Sequence, residues 1–199
     1  MMSSRNEVRQ PQSTAVWRYR LVIYLTALIL TSPVYADQNW NIRTAPVSDS
    51  IGIYNLELDY TLGEKFTIGP MVYRFDYELS DTTYESTAVG VRLNYYFRKV
   101  HDGGWLLGLS GLYGTFSISE INTSDNRRYY VDVSTRIYTL MLSYQALWEN
   151  FNITTGIGVS YFSLPETVIG QNGGASLPIN TSFLSGTLPN AEFTLGWRF

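Results

Sequence analysis

The sequence contains no cysteine and only one histidine, and 16% of its 199 residues are charged. Without cysteine the chain cannot form disulfides, thiolate nucleophiles or cysteine-ligated metal sites. The histidine, His101, stands next to Asp102 in a predicted turn, and one imidazole does not supply the several convergent ligands of a metal site. A Ser-His-Asp arrangement would also require a serine and a carboxylate at that same turn. We therefore predict that the protein is not an enzyme and holds neither a metal nor a cofactor.

Basic patches and phosphate-binding motifs are also scarce. The formal net charge is −3, and no basic cluster follows residue 36, which argues against a nucleic-acid partner. The glycine-rich segment Gly170–Gly174 is not followed by the Lys-Ser/Thr pair of a P-loop and has no helix signal after it. A phosphate cradle is therefore not expected there.

A long hydrophobic run is absent as well. The apolar segment Leu21–Leu30 is about half of the ~20 residues that a helix needs to cross a bilayer. Arginines precede it, and the cleavage-like sequence Val34-Tyr35-Ala36 follows it. This order predicts a cleavable signal peptide at residues 1–36 and a single domain at residues 37–199, with a membrane anchor as the alternative for the first segment.

The rest of the chain alternates between apolar and polar residues, which is the pattern of strands with one apolar face. Membrane-spanning strands carry this alternation without bulk hydrophobicity. The strand from Trp105 to Ile118 has an ambiguous phase, and the segment at Trp40 is short and weak. Counting that weak segment gives eight strands, and leaving it out gives seven. The predicted strands lie around Trp40–Thr44, Tyr54–Leu62, Met71–Tyr77, Thr87–Phe97, Trp105–Ile118, Tyr138–Trp148, Ile153–Tyr161 and Ala191–Phe199.

Short and long connections between these strands alternate. The short ones are Gly63–Lys65, Arg98–Gly104 and Glu149–Asn150, and the long polar ones are Ser80–Ser86, Ser119–Arg128 and Pro165–Ser185. Short turns at one end, long loops at the other and an even strand number are typical of outer-membrane barrels. We predict an all-β fold, an eight-stranded antiparallel transmembrane β-barrel of outer-membrane type. A soluble periplasmic β-protein is the alternative.

In such a barrel the apolar faces meet lipid and the polar faces line the lumen, so charges on the polar faces need partners inside. Large aromatics at the strand ends match the interfacial girdles of membrane proteins. The alternative is that the polar-face charges belong to an ordinary solvated surface. The predicted lumen charges are Glu57, Asp59, Arg74, Asp76, Glu78, Arg92, Glu192 and Arg198.

The final segment, Phe193-Thr194-Leu195-Gly196-Trp197-Arg198-Phe199, resembles the closing strand of small bacterial outer-membrane barrels of the OmpX, OmpA-transmembrane and OmpW type. The resemblance implies that Phe193, Leu195, Trp197 and Phe199 form a recognition signal for the barrel assembly machinery. It also implies a Gram-negative outer-membrane location and contact with outer-membrane lipids.

These families include adhesins, structural anchors, small porin-like channels and lipid-modifying enzymes, so the resemblance is a poor guide to function. The histidine–serine strand motif of the small lipid A deacylases is missing from this sequence. We predict a non-enzymatic barrel of the cell envelope whose long loops bind an extracellular partner or stabilise the envelope. A narrow channel for small solutes or ions is the alternative, followed by a lipid-modifying enzyme.

Overall fold

A computed structural model describes most of the chain after the predicted signal peptide. Residues 1–36, which the sequence assigns to that peptide, lie outside the described residues. The described ranges are 39–49, 52–79, 82–122, 127–165, 167–172, 175–181 and 185–199.

Antiparallel β-strands make up almost all of the described structure. Two short helical segments interrupt them, α1 (Pro46–Asp49) and a 3-10 turn (Val100–Asp102), and no described helix is long and apolar enough to cross a membrane. The strands are β1 (Trp40–Thr44), β2 (Ile53–Leu62), β3 (Phe66–Leu79), β4 (Thr82–Tyr96), β5 (Gly104–Asn122), β6 (Arg127–Trp148), β7 (Phe151–Ser163), β8 (Thr167–Asn172), β9 (Ala175–Asn180) and β10 (Gly186–Arg198).

Eight of the described strands form a closed ring. Each of β1 to β6 pairs with the strand that follows it in the chain, β7 pairs with β10, and β10 pairs with β1. The hairpin β8–β9 stands outside the ring, and the described strand pairing between them is one bridge, from Gln171 to Tyr130 of β6. The predicted eight-stranded antiparallel barrel is confirmed.

The weak segment at Trp40 is the first barrel strand. It pairs with β2 on one side and with β10 on the other. The Trp40 N–H donates to the Phe199 carbonyl at 3.2 Å, and the Phe199 N–H donates to the Trp40 carbonyl at 2.9 Å. The count of seven strands, which omitted this segment, is therefore excluded.

Three tight turns join the strands at one end of the barrel, which we call the turn end. At Gly63–Lys65, Gly63 has a φ of 64°, which glycine adopts without strain. The neighbouring turn, from Phe97 to Gly103, is tied to it by a hydrogen bond of 3.0 Å from Lys99 Nζ to Glu64 Oε1. This hydrogen bond raises the pKa of the Lys99 ammonium group. The third turn is Glu149–Asn150.

At the opposite end, the loop end, the strands run further than the sequence predicts. The strand β4 begins at Thr82, inside the predicted loop Ser80–Ser86, and β5 continues to Asn122, inside the predicted loop Ser119–Arg128. The predicted loop Pro165–Ser185 holds the hairpin β8–β9. Polar residues form strands here because a sheet outside a bilayer can present polar side chains to water.

The outer wall of the ring is apolar over the section next to the turn end. On β4 the outward Val89, Val91 and Leu93 are exposed, and on β6 the outward side chains from Tyr138 to Trp148 are apolar. These spans are close to the about 9–11 residues with which a tilted strand crosses a bilayer. Such a continuous apolar wall would be unfavourable in water and fits lipid.

Aromatic side chains ring the turn end of this wall. Trp40 lies 4.8 Å from Tyr60, Phe66 5.2 Å from Tyr95, and Trp105 5.5 Å from Tyr144, measured between ring centroids. Tyrosines stand at the other edge of the apolar wall, at positions 113, 138 and 161. The two belts match interfacial aromatic girdles.

Beyond the tyrosine belt, toward the loop end, the apolar side chains lie on the inner face of the sheet and the polar side chains on the outer face. On β4 the inward Tyr84 and Ala88 are buried, and the outward Glu85 is exposed. The inward Phe116 and Ile118 of β5 join Tyr84, and Val168 and Ile179 of the hairpin cover them. This loop-end section, which we call the outer extension, is therefore built like a water-soluble barrel, with apolar residues inside and polar residues outside.

The barrel lumen as candidate functional site

Five of the eight predicted lumen charges point into the barrel. Glu57, Asp59, Arg92 and Arg198 are at least 95% buried, and the side chain of Glu192 is 11% exposed. They come from β2, β4 and β10, and the curvature of the ring brings them together.

The other three predicted lumen charges require a correction. Arg74, Asp76 and Glu78 lie on the outer face of β3, whereas Met71, Tyr73 and Phe75 point inward. The prediction took the apolar residues in the loop-end half of β3 as the face that meets lipid. That half belongs to the outer extension, where the apolar face points inward instead.

The lumen charges form one connected network. Arg92 binds Glu192 through two contacts, of 2.6 Å from Nη1 and 2.9 Å from Nη2. Arg92 Nη1 also lies 3.3 Å from Glu57 Oε1. Ser143 donates a hydrogen bond to the same carboxylate of Glu192. The bidentate geometry fixes the guanidinium plane, as expected for an arginine–carboxylate pair.

Arg43 completes the network, and sequence reasoning missed it. Its Nη2 lies 2.7 Å from Glu57 Oε2, and its Nε lies 2.8 Å from Asp59 Oδ2. The sequence did contain a signal for a lumen position, because Asn41 and Arg43 share one face of β1 opposite Trp40 and Ile42. The strand was too short for that alternation to indicate a lumen residue.

Neutral polar side chains fill the lumen between this network and the turn end. Asn152 donates to Asn41 at 2.8 Å, and Gln145 donates to Asn152 at 3.1 Å. Arg198 donates to Gln145 at 3.1 Å and to the Val100 carbonyl at 2.6 Å. Thus hydrogen bonds continue from the ion network to the 3-10 turn.

The 3-10 turn closes the lumen at the turn end. Val100, which is 2% exposed, packs against the buried Tyr96 and Leu106. His101 and Asp102, the pair considered above for catalysis, are exposed on the far side of this turn.

Close packing around Arg92 involves a glycine on the neighbouring strand. A Cβ atom on Gly108 would lie 2.8 Å from Arg92 Nη2 and 2.9 Å from Asn94 Oδ1. Asn94 accepts a hydrogen bond of 2.8 Å from Arg92 Nε, so a side chain at position 108 would displace both groups. Glycine at position 108 therefore leaves the space in which the Arg92 and Asn94 side chains lie against its backbone.

A cavity of about 320 Å³ lies on the loop-end side of the ion network. Glu57, Arg92 and Glu192 form its floor, and mainly apolar side chains, including Met71 and Leu112, form its walls. Its volume is within the about 300–1,000 Å³ of small-molecule sites.

Three residues of the predicted assembly signal lie on the outer face of β10, and the fourth, Phe199, directly follows the strand. Phe193, Leu195 and Trp197 alternate with the inward Thr194, Gly196 and Arg198. Their role in recognition by the assembly machinery stays a prediction.

A family model described as protein of unknown function (DUF3575) matches residues 22–173, which is more than half of the chain. The chain belongs to this family. The match covers β1 to β8 and stops before β10, so it includes every strand of the ring except the closing one. No curated protein was found to match this member of the DUF3575 family.

Two crystal structures of outer-membrane proteins are similar to this DUF3575 protein. The major outer membrane protein from Thermus thermophilus is 10% identical, with a TM-score of 0.53 over 80% of this chain and 98% of that chain. The N-terminal β-barrel domain of Pseudomonas aeruginosa OprF is 15% identical, with a TM-score of 0.46 over 81% of this chain and 98% of that chain. The fold is that of an outer-membrane β-barrel, and the predicted location in the bacterial outer membrane agrees with it.

Proposed function

We propose that this protein is a non-enzymatic outer-membrane barrel with a closed lumen, and that it acts at the cell surface through its outer extension. The ion network of Arg43, Glu57, Asp59, Arg92 and Glu192 carries the proposal, because it joins opposite sides of the ring. In this network each carboxylate contacts an arginine, which leaves no free acid or base for catalysis.

The free-energy cost of opening a path through the lumen favours a closed barrel. A solute path through the lumen would have to separate buried ion pairs, and removing one partner of such a pair costs about 3–5 kcal/mol. The 3-10 turn with Val100 is a second barrier at the turn end. Both barriers count against the alternative function, a narrow channel.

The outer extension has the construction of a binding platform. The strands β5 and β6 stay paired from the membrane section out to Asn122 and Arg127. The apolar cluster of Tyr84, Phe116 and Ile118 fixes the hairpin β8–β9 on top of them. A rigid scaffold that presents polar side chains loses little conformational entropy when a partner binds.

Conductance in planar lipid bilayers tests closure. We expect no single-channel steps from the wild-type protein. A variant in which Arg43, Glu57, Arg92 and Glu192 are changed to serine and Val100 to glycine should conduct, because both barriers are then weakened. Steps from the wild type of the size that this variant gives would contradict the proposal.

Complementation tests the role of the outer extension. In a strain that lacks the protein, we compare the full chain with a variant whose residues 167–180 are replaced by a short Gly/Ser linker. The ring should still assemble, since every strand of the ring has both of its neighbours without the hairpin. If this variant folds but does not correct the defects of the strain, the result supports a surface role of the outer extension. Full restoration would instead favour a purely structural role of the barrel.

A further inference from the structure

A second, smaller cavity of about 100 Å³ adjoins the cavity above the ion network. The two share four wall residues, Tyr73, Ile137, Phe162 and Leu188. Phe75, Phe116 and Leu164 add to the walls of the second cavity. Together they form a chamber that has charged residues only at its floor and becomes apolar toward the loop end.

The chamber borders a gap in the strand pairing of the ring, which we call the seam. On most strands only alternate residues line the chamber, as Ile53, Asn55 and Glu57 do on β2, but on β10 five consecutive residues line it, from Leu188 to Glu192. Among the described residues, β1 pairs with β10 only from Leu195 to Arg198, so the edge of β10 beyond Leu195 has no strand partner on that side. Ala45, which precedes α1, and Ser48 of α1 line the chamber across this seam, where α1 contacts both β2 and β10.

The seam lies in the apolar section of the wall. Pro189 pairs with Val159 and Ala191 pairs with Ile157, both of which are exposed. The residues from Pro189 to Ala191 also line a depression on the outside of the barrel, whose other walls include Leu142. One stretch of β10 therefore borders both the chamber and the lipid-facing surface.

Two buried hydroxyl groups in the chamber have no hydrogen-bond partner among the described residues. They are Ser86 Oγ and Thr135 Oγ1, on residues that are 4% and 1% exposed. Both line the smaller cavity, in otherwise apolar surroundings. Leaving a buried hydroxyl unpaired costs about 1–3 kcal/mol, so these groups favour an occupant that can pair with them.

The floor of the chamber disfavours a charged occupant. The guanidinium of Arg92 already contacts Glu57, Glu192 and Asn94. The lumen holds three buried arginines (Arg43, Arg92 and Arg198) and three carboxylates (Glu57, Asp59 and Glu192), so its charges balance. An anion or a cation would bring an uncompensated charge into this balanced site.

We propose that the chamber binds a neutral amphiphile, an alkyl chain that carries a hydroxyl or carbonyl group, and that the amphiphile passes from the membrane through the seam beside β10. The alkyl chain lies against Tyr73, Ile137 and Phe162, and its polar group pairs with Ser86 and Thr135. This proposal does not depend on the surface role of the outer extension, because the ligand enters from the lipid side.

Photolabelling of the protein in lipid nanodiscs tests the site. The probe is an n-decanol analogue with a diazirine group. Labelled peptides should contain the chamber residues Tyr73, Ile137 or Phe162, and n-decanol should compete more strongly than decanoate. Labelling confined to the outer wall, at Leu142 and Ile157, would overturn the proposal, as would equal competition by the two compounds.

Variants separate binding from loss of fold. Ile137→Trp fills the chamber and should abolish labelling inside it, whereas Leu140→Trp, on the outer face of the same strand, should not. The double variant Ser86→Ala/Thr135→Val keeps the volume and removes the hydroxyls, so n-decanol should compete about fivefold less well. Unchanged competition in the double variant would contradict the role of the hydroxyls, even where Ile137→Trp fails to fold.

Native mass spectrometry of the protein extracted from cell membranes distinguishes the two sources of such a molecule. A neutral lipid-derived mass that n-decanol displaces indicates a ligand from the membrane. A protein that binds n-decanol only after its addition indicates an amphiphile that enters the membrane from outside the cell and reaches the seam from there. A mass that n-decanol does not displace, together with no uptake of n-decanol, would overturn the proposal.

Discussion

Glu57 is the residue on which the lumen network depends most, because it contacts two arginines. Its two carboxylate oxygens reach Arg43 at 2.7 Å and Arg92 at 3.3 Å. Of the lumen carboxylates, Asp59 contacts Arg43 and Glu192 contacts Arg92. Glu57 therefore connects the two halves of the network.

The variant Glu57→Gln should lower the free energy of unfolding by about 3–5 kcal/mol, because two buried guanidinium groups lose a charged partner. Urea titration of folding into lipid vesicles measures this change. The control is Glu85→Gln, which removes the same charge from the exposed outer face of β4 and should change stability by less than about 0.5 kcal/mol. Equal effects of the two variants would show that the network does not stabilise the barrel.

Alternation within one strand identifies a lumen residue only where the solvent on each side is known. Glu57, Asp59, Arg92, Glu192 and Arg198 were predicted because their strands alternate cleanly in the membrane section. Arg74, Asp76 and Glu78 belong to the section where water replaces lipid outside, and the same alternation there has the opposite meaning. No local feature of β3 marks that boundary.

At the scale of elements, the shortest strand closes the ring. The strand β1 is the only described strand between β2 and β10, and it pairs with both along its length. A strand with two neighbours has no edge at which a missing N–H is harmless. Assembly therefore depends on the segment with the weakest sequence signal.

Proline in this strand tests its importance. Ile42→Pro should lower the free energy of unfolding by about 2 kcal/mol or more, since a buried carbonyl on a neighbouring strand loses its donor. The yield of the heat-modifiable, folded form on gels should fall with it. Ile169→Pro places the same residue in β8, outside the ring, and should leave this yield unchanged. A similar loss in both variants would count against closure by β1.

The ring of strands was predictable from sequence, and the hairpin β8–β9 was not. Residues 165–180 contain Gly, Asn and Pro at a density typical of loops, and alternation over six residues is too short to stand out. What holds the hairpin in place is the burial of Val168 and Ile179 on Tyr84 and Phe116. These contacts join residues far apart in the chain, which no local pattern records.

At the scale of the whole molecule, the two aromatic belts differ in composition. The four tryptophans after the predicted signal peptide, Trp40, Trp105, Trp148 and Trp197, all lie near the turn end of the barrel. The opposite edge of the apolar wall carries tyrosines. The barrel therefore has one tryptophan interface and one tyrosine interface.

This asymmetry can be measured by fluorescence quenching in vesicles of brominated lipids. Lipids brominated near the headgroup should quench the native tryptophans more strongly than lipids brominated near the end of the acyl chain. The variant Leu140→Trp adds a tryptophan in the middle of the apolar wall and should add a deeply quenched component. Deep quenching of the native protein would contradict the position of the membrane inferred from the apolar wall.

The balance of charges in the lumen has a further consequence at this scale. A voltage across a membrane acts on each elementary charge with about 2.3 kcal/mol per 100 mV. Three arginines and three carboxylates together experience no net electrical force, although each one alone would be pulled. These six charged side chains are therefore electrically silent as a group. A Donnan potential that changes with the ionic strength outside the cell would exert no net force on them in either direction.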